Sequence, residues 1–302
     1  MLVSIILTCY KQEKFIEETM LSVINQKYVD RELLIGDDSP DDNCRKIISK
    51  YVIQYPDKIH AWHHYPNKWI VNNMQFLLDQ RNKESEYVAF LEWDDCLSPE
   101  YLERKLEIFK NHPNVQLVYN ELTTIDEKWE TITKNKLKQS GNIICKKWKI
   151  SYDDLINKDY YMSWSTLMVR SEILHKYHIY SDFLWSKTII SDVCFFNQVA
   201  HNEDIYWIWE SIVYYRIHED SVTKNIQGST LYYFELMKYL HHVFELWLIW
   251  VRVYKNQVCK SCLLIAIPSL KMALNKWIIR TLKFFIIECI KAIKVRFRIK
   301  DS

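Results

Sequence analysis

Over roughly the first 120 residues, short apolar runs rich in β-branched side chains alternate with amphipathic stretches, and each run gives way to a polar or acidic residue. Val3 to Thr8, Glu32 to Ile35, Ile59 to His63, Tyr87 to Leu91 and Gln116 to Tyr119 read as strands. Between them Phe15, Thr19, Leu21 and Val23 fit the buried stripe of a helix ending near Gln26. Asp41 to Asn43 can cap a helix running to Tyr55, and Asn72 to Gln80 reads as a third. Ser98 followed by Pro99 opens a fourth, running to Phe109. Strand and helix in strict alternation predict an α/β chain with a doubly wound, mostly parallel sheet. Ligands of such sheets bind beyond the carboxyl ends of the strands. The residues there are Thr8 and Tyr10, then Asp37 and Asp38, then Glu92, Asp94 and Asp95.

The densest of these groups is Phe90-Leu91-Glu92-Trp93-Asp94-Asp95, where an apolar strand ends in three carboxylates. Half-buried like charges repel unless something neutralises them. A divalent cation on a diphosphate would do so, and hard oxygen ligands suit Mg²⁺ or Mn²⁺. An acidic turn leading into the next helix explains the same run. At the first two strand ends, Tyr10 can stack on a base and a carboxylate can accept a base N–H, although turn residues are commonly polar for solvation alone. Asp192, at the start of a helical stretch from Val193 to Ala200, is either an N-cap or a general base. His218 follows Arg216 by two residues and precedes Ser221 and Thr223, a pattern suited to diphosphate or metal contacts.

In order and spacing these blocks resemble the family 2 glycosyltransferases of the GT-A fold. The residues that carry the resemblance are Val3 to Tyr10, Glu17 to Gln26, Glu32 to Asp38, Asn67-Lys68, Tyr87 to Asp95 and Ser98-Pro99. Ser163 to Arg170, Ser191-Asp192 and Tyr215 to Thr223 continue it, so that it spans roughly residues 1 to 225. It implies that Thr8, Tyr10 and Asp38 hold the nucleotide, usually uridine. It implies further that Glu92 and Asp94 face the nucleotide-sugar, that Asp94, Asp95 and His218 hold Mn²⁺ or Mg²⁺, and that Asp192 is the catalytic base. The implied reaction is inverting transfer of one sugar from a nucleotide-sugar to a hydroxyl of a glycan or lipid-linked acceptor, in envelope polysaccharide or lipooligosaccharide synthesis. Glu92 stands where the acidic DXD motif usually begins with Asp, Trp93 where a small residue is common, Trp69 where Gly often follows Asn-Lys, and Ser191 where an acid often precedes the base. The Gln-x-x-Arg-Trp motif of processive synthases is absent.

Two other functions fit the alternation. A sugar nucleotidyltransferase would carry a Gly-rich loop after the first strand, but the chain has three glycines and reads Thr8-Cys9-Tyr10-Lys11-Gln12 there. A catalytically inactive scaffold of the same fold would have no need of the acids at Asp94, Asp95 and Asp192.

The charge is uneven. From Arg252 onward lie 12 of the 40 Lys and Arg but only 2 of the 38 Asp and Glu. Trp277, Ile278, Leu282, Phe285, Ile286, Ile293 and Phe297 can share a helical face flanked by Lys and Arg. A basic amphipathic segment of this kind suits an anionic membrane surface, and a packed helical hairpin with a solvated basic side is its alternative. No recognition motif accompanies the charge, so nucleic acid is not expected. The expected division is a catalytic domain over 1–228 and a basic helical region over 229–302. No apolar run approaches the ~20 residues of a spanning helix. The eight cysteines are scattered, and the Cys259–Cys262 pair lacks the second pair of a zinc site. With no leader before the first strand, the expected setting is cytoplasmic, peripheral at the inner face of the cell membrane.

Overall fold

The computed structural model describes residues 1–134, 143–145, 163–177, 179, 191–219 and 221. The chain divides between Ser221 and Val222 into two units, and the description that follows is of the first. The helix expected from Thr230 to Trp250 and the basic amphipathic tail lie outside the described residues.

The alternation read from the sequence is realised as β1 (Val3–Cys9), α1 (Ile16–Ile24), β2 (Arg31–Asp37), α2 (Asn43–Gln54), β3 (Ile59–His63), α3 (Ile70–Gln80) and β4 (Tyr87–Leu91). A short β5 (Cys96–Leu97), α4 (Tyr101–Asn111), β6 (Val115–Ile125), β7 (Thr131–Lys134) and β8 (Ile143–Cys145) follow. β9 (Leu167–Arg170), α5 (Ser191–Asn202) and β10 (Asp204–Arg216) complete the described elements.

The sheet has the order β3-β2-β1-β4-β9-β6-β10-β5, with β7 on β6 and β8 on β10. β1 pairs in parallel with β2 and β4, and β2 with β3. β9 is antiparallel to both β4 and β6, and β10 is parallel to β6. Two reversals cancel, so β4, β6 and β10 all point the same way. The carboxyl ends of β1, β2, β4 and β10 therefore share one edge of the sheet, the edge where ligands of such sheets bind.

Period-two alternation along the strands divides the core into two layers. Val3, Ile5, Leu7 and Cys9 of β1 and Leu33 and Ile35 of β2 pack with Met20, Ile48, Leu102 and Leu106 of α1, α2 and α4. Ile6, Leu34, Val88 and Phe90 face the other way, against Met74 and Leu77 of α3 and Phe195 and Phe196 of α5. Both faces are covered, which is why these strands read as continuous apolar runs and not as an alternation of apolar and polar.

Several elements differ in extent from the sequence reading. β6 runs on to Ile125, because Glu121, Thr123 and Thr124 are buried in the sheet although their polarity ends the apolar run. α4 begins at Tyr101, not at Pro99. Ser98 contributes its backbone carbonyl, which accepts the Tyr101 N–H at 3.0 Å, and its hydroxyl does not cap. β10 spans 13 residues with register shifts near Ser211, and those bulges interrupt the periodicity that would have marked it.

Gly36 shows why one of so few glycines sits in β2. The Asn73 side chain of α3 lies on it, with Nδ2 donating to the Gly36 carbonyl at 2.8 Å, and a Cβ there would fall 1.8 Å from Asn73 Oδ1. Gly36→Ala is expected to expel that amide and cost about 1–3 kcal/mol, as overpacking does. Thermal unfolding checks this, and Gly36→Ala with Asn73→Ala should cost less than the two changes added.

Candidate active site

The described site begins at the end of β4, where the strand gives out and three acids follow in a tight turn. The Asp95 N–H donates to the Glu92 carbonyl at 3.3 Å, folding the turn back on itself. The three carboxylates then part company. Asp95 is fully buried and turned inward: Oδ2 accepts the Ser165 hydroxyl at 2.6 Å and Oδ1 accepts the Arg216 N–H at 3.1 Å. Glu92 Oε2 accepts the Ser163 hydroxyl at 2.7 Å, while its backbone N–H donates to Ser165 Oγ at 3.0 Å. Asp94 faces the open side, and its Oδ2 lies 3.0 Å from His218 Nε2, a contact between residues 124 apart in sequence.

Arg216, at the end of β10, holds this turn from behind. Its Nε donates to the Asp94 carbonyl at 2.9 Å, and its guanidinium pairs with Glu18 on α1. The group is 1% exposed and lies between the rings of Phe15 and Trp129. Trp129, at the tip of the β6–β7 turn, also donates to Glu18 at 2.6 Å. The sequence pattern suggested Arg216 as a diphosphate contact. In the structure its donors are committed to protein acceptors, so it braces Asp94 and does not face a ligand. His218 is fixed by its N–H on Ser221 Oγ at 3.0 Å and by packing on Phe15 with 4.8 Å between ring centres.

Burial drives the electrostatics. Glu92 is pushed up to about 8, by desolvation first and then by the charges of Asp94 and Asp192. Desolvation, with Asp94 and Glu92 adding to it, holds Asp95 well above the carboxylate range despite its two hydrogen bonds. Asp192, the second residue of α5, is near enough to the acidic turn for its charge to raise Glu92. The start of α5 is fixed by Trp164, whose Nε1 donates to Ser191 Oγ at 3.1 Å and whose ring packs on Phe90 and Phe195.

The other two strand ends adjoin the same edge. Tyr10 is exposed and free to stack, whereas Thr8 is buried with an Oγ1 that lacks a partner. The Asp38 N–H donates to the Cys9 carbonyl at 2.9 Å, and its Oδ1 accepts the Lys68 N–H at 3.1 Å. Burial raises its carboxyl above the usual range. The loop that supplies Lys68 also carries Trp69, a non-glycine residue at φ 68 and half exposed.

The structure thus joins Glu92, Asp94, Asp95 and His218 in one bonded network, sets Asp192 against it, and arrays Thr8, Tyr10 and Asp38 along the same sheet edge. As a cation site, the donor set at Asp94 and His218 fits: a carboxylate and an imidazole leave the remaining positions to phosphate and water, as Mg²⁺ and Mn²⁺ prefer. Asp95, also expected among the metal ligands, is fully buried and has both oxygens bonded inside the protein. Sequence reasoning missed Ser163, Ser165 and Glu18 as parts of the site. The Ser163-Trp164-Ser165 segment stood out in the sequence, but nothing local linked it to the acids.

Comparison with known proteins shows the family and the fold. Residues 4–176 match the family model described as Glycosyl transferase family 2. An uncharacterized glycosyltransferase of Nostoc is 27% identical over 234 residues, 72% of this chain and 65% of that one. TuaG of Bacillus subtilis, whose name assigns it to teichuronic acid biosynthesis, is 32% identical over 106 residues, 35% of this chain and 41% of TuaG. The chain therefore spans less than two thirds of either relative. Among solved structures, S. aureus TarS 1–349 in complex with UDP-GlcNAc superposes with a TM-score of 0.60 at 17% identity, covering 88% of this chain and 71% of that one. At that identity the likeness is one of fold, and the curled, mostly parallel sheet is the GT-A fold.

The raised carboxyl of Glu92 has a consequence for stability. Its folded value of about 8 exceeds the ordinary 4.5. Its contribution is therefore complete below pH 4.5 and is lost as pH rises through 8. In chelator and without nucleotide, Glu92→Gln should flatten the loss of stability across that window by up to about 1.4 kcal/mol per pH unit, one proton's worth. Denaturant unfolding at several pH values measures it, and parallel pH profiles for the two proteins would contradict it.

Proposed function

Because the chain belongs to glycosyl transferase family 2, we propose that it moves one sugar from a nucleotide-sugar, UDP-linked, to a hydroxyl of a glycan or lipid-linked acceptor in cell-surface polysaccharide synthesis. The observation that carries the reading is the Asp94–His218 contact at the end of β4, with Asp192 beside it. Two strand ends and a helix start supply chemically different groups to one edge, which is what a displacement at a sugar carbon requires.

In this reading Tyr10 stacks on the base, Asp38 accepts a base N–H, and the unpartnered Thr8 hydroxyl completes the nucleoside contacts. Glu92 and Asp94 face the ribose and the diphosphate side. Asp94 and His218 are the residues that would hold Mg²⁺ or Mn²⁺, which, when bound, neutralises the charge of the departing diphosphate. Asp95 is a positioning residue: bonded to Ser165 and Arg216, it fixes the turn on which Glu92 and Asp94 stand. Asp192 takes the proton of the acceptor hydroxyl as its oxygen attacks the anomeric carbon from the side opposite the leaving diphosphate. One displacement inverts the configuration. Residues 1–228 are read as the catalytic domain. The basic region from 229 onward is read as its contact with an anionic membrane surface at the inner face.

Asp192→Asn is expected to lower kcat by about 10²–10⁴-fold, the usual span for a general base, while the Kd for UDP changes little. Chelation should stop turnover and Mn²⁺ or Mg²⁺ restore it. Equal loss of binding and turnover in a folded Asp192→Asn protein would remove the base assignment, and full turnover in excess EDTA the metal role. A chain ended after Trp250 should no longer sediment with anionic vesicles; unchanged sedimentation would reject the membrane role.

A further inference from the structure

Below the nucleoside end of the sheet, on the α1–α2 face, a second group of ligating side chains converges. Cys9 ends β1, Asp37 ends β2 directly opposite it in the parallel register, and Cys44 lies in the first turn of α2. The two sulfurs and a carboxylate oxygen lie within 4.8 Å of one another, and all three residues are buried. None belongs to the Glu92–Asp94–His218 network.

Asp37 and Cys44 are held in place by outer bonds. Asp37 Oδ1 accepts the Ser39 N–H at 2.9 Å, and Oδ2 lies 2.8 Å from His63 Nδ1. Cys44 Sγ accepts the Gln12 N–H at 3.3 Å. Carboxylate oxygens and sulfurs keep further lone pairs after these bonds. A ligand set already oriented by an outer ring of hydrogen bonds, including a carboxylate–histidine contact, is the arrangement that metal sites carry. Buried cysteines also occur simply as small apolar side chains. A buried carboxylate between two of them has no place in that explanation, because it gains nothing from apolar neighbours.

We propose that Cys9, Asp37 and Cys44 form a binding site for a thiophilic divalent cation of the zinc type, distinct from the hard-oxygen site at Asp94 and His218. Two sulfurs select a soft ion over Mg²⁺, so the two sites do not compete. On binding, both thiol protons leave to solvent, and two thiolates and a carboxylate face the divalent charge, with a fourth position for water. The ion ties the ends of β1 and β2 to the start of α2. Tyr10 and Asp38 are the next residues along those two strands, so the cross-link stiffens the floor of the nucleoside contacts.

The test uses the full chain in excess Mg²⁺, reduced, and titrated with Cd²⁺ as probe. The expected result is ultraviolet thiolate-to-cadmium absorption. It should be lost in Cys9→Ser and in Cys44→Ser and kept in Asp94→Asn and in the Cys259→Ser/Cys262→Ser protein. Absence of the absorption in the unsubstituted protein, its survival in a folded Cys9→Ser or Cys44→Ser, or its loss with Cys259 and Cys262 would overturn the assignment. Should the Cys9 and Cys44 variants not fold, zinc-edge X-ray absorption on the Cys259→Ser/Cys262→Ser protein decides. Two sulfur neighbours at about 2.3 Å support the site, and a shell of nitrogen and oxygen alone refutes it.

Discussion

The site rests on one buried carboxylate. Asp95 cannot leave its oxygens unbonded in the interior, since a buried polar group without a hydrogen-bond partner costs several kcal/mol. It satisfies them with a hydroxyl from the segment leading into β9 and an amide from the end of β10. Three stretches of chain, far apart in sequence, are thereby pinned to one point. Everything presented outward is registered against it: Glu92 through Ser163 and Ser165, Asp94 through Arg216, and His218 two residues further along the same strand end. The residue that holds the arrangement is thus the most deeply buried acid of the turn.

β1 and β2 show how a strand end can serve two faces. Alternation sends Cys9 and Asp37 to the α1–α2 layer, whereas Thr8 lies on the opposite face and Tyr10 and Asp38 follow beyond the last paired residues. A substitution at Cys9 or Asp37 would therefore be felt at the proposed nucleoside contacts, Tyr10 and Asp38, through the backbone. The close seat of Asn73 on Gly36 acts from the other side and fixes how near α3 comes to β2. Between them these contacts set the separation of the two strand ends.

Much of this was legible in the sequence, and what was not has a physical cause. β4 falls where its apolar run puts it, because a fully buried strand is marked by composition alone. The GT-A fold and the family followed from the order of the blocks. β9 was not foreseen as a strand, since four residues carry too little periodicity, and its antiparallel place between β4 and β6 depends on partners distant in sequence. The division of labour among Glu92, Asp94 and Asp95 was hidden for a related reason. They stand in a turn, where no period assigns a face, and their directions are set by Ser163, Ser165, Arg216 and His218. The Arg-x-His pattern was informative about place but not about role: at a strand end, successive alternate residues share a face, yet the long Arg216 side chain reaches back under the turn to Glu18.

The same crowding that hides these roles gives the site its chemistry. Four carboxylates, those of Glu92, Asp94, Asp95 and Asp192, are gathered in partly desolvated surroundings, with His218 and the bracing Arg216 nearby. A protein selected for stability alone would replace several of them. The compensations are visible in how the acids are bonded: hydroxyls to Glu92 and Asp95, an amide to Asp95, a guanidinium behind Asp94. They suffice to fold the turn but leave Glu92 pushed toward its neutral form. What remains unbalanced is negative charge on the open side of Asp94, at the edge where a bound phosphate would bring more. In the proposed reaction such a site would favour phosphate only together with a cation, and each would raise the affinity for the other. The unequal bonding of three adjacent acids, more than their number, is what the proposed cation and diphosphate would meet at the end of β4.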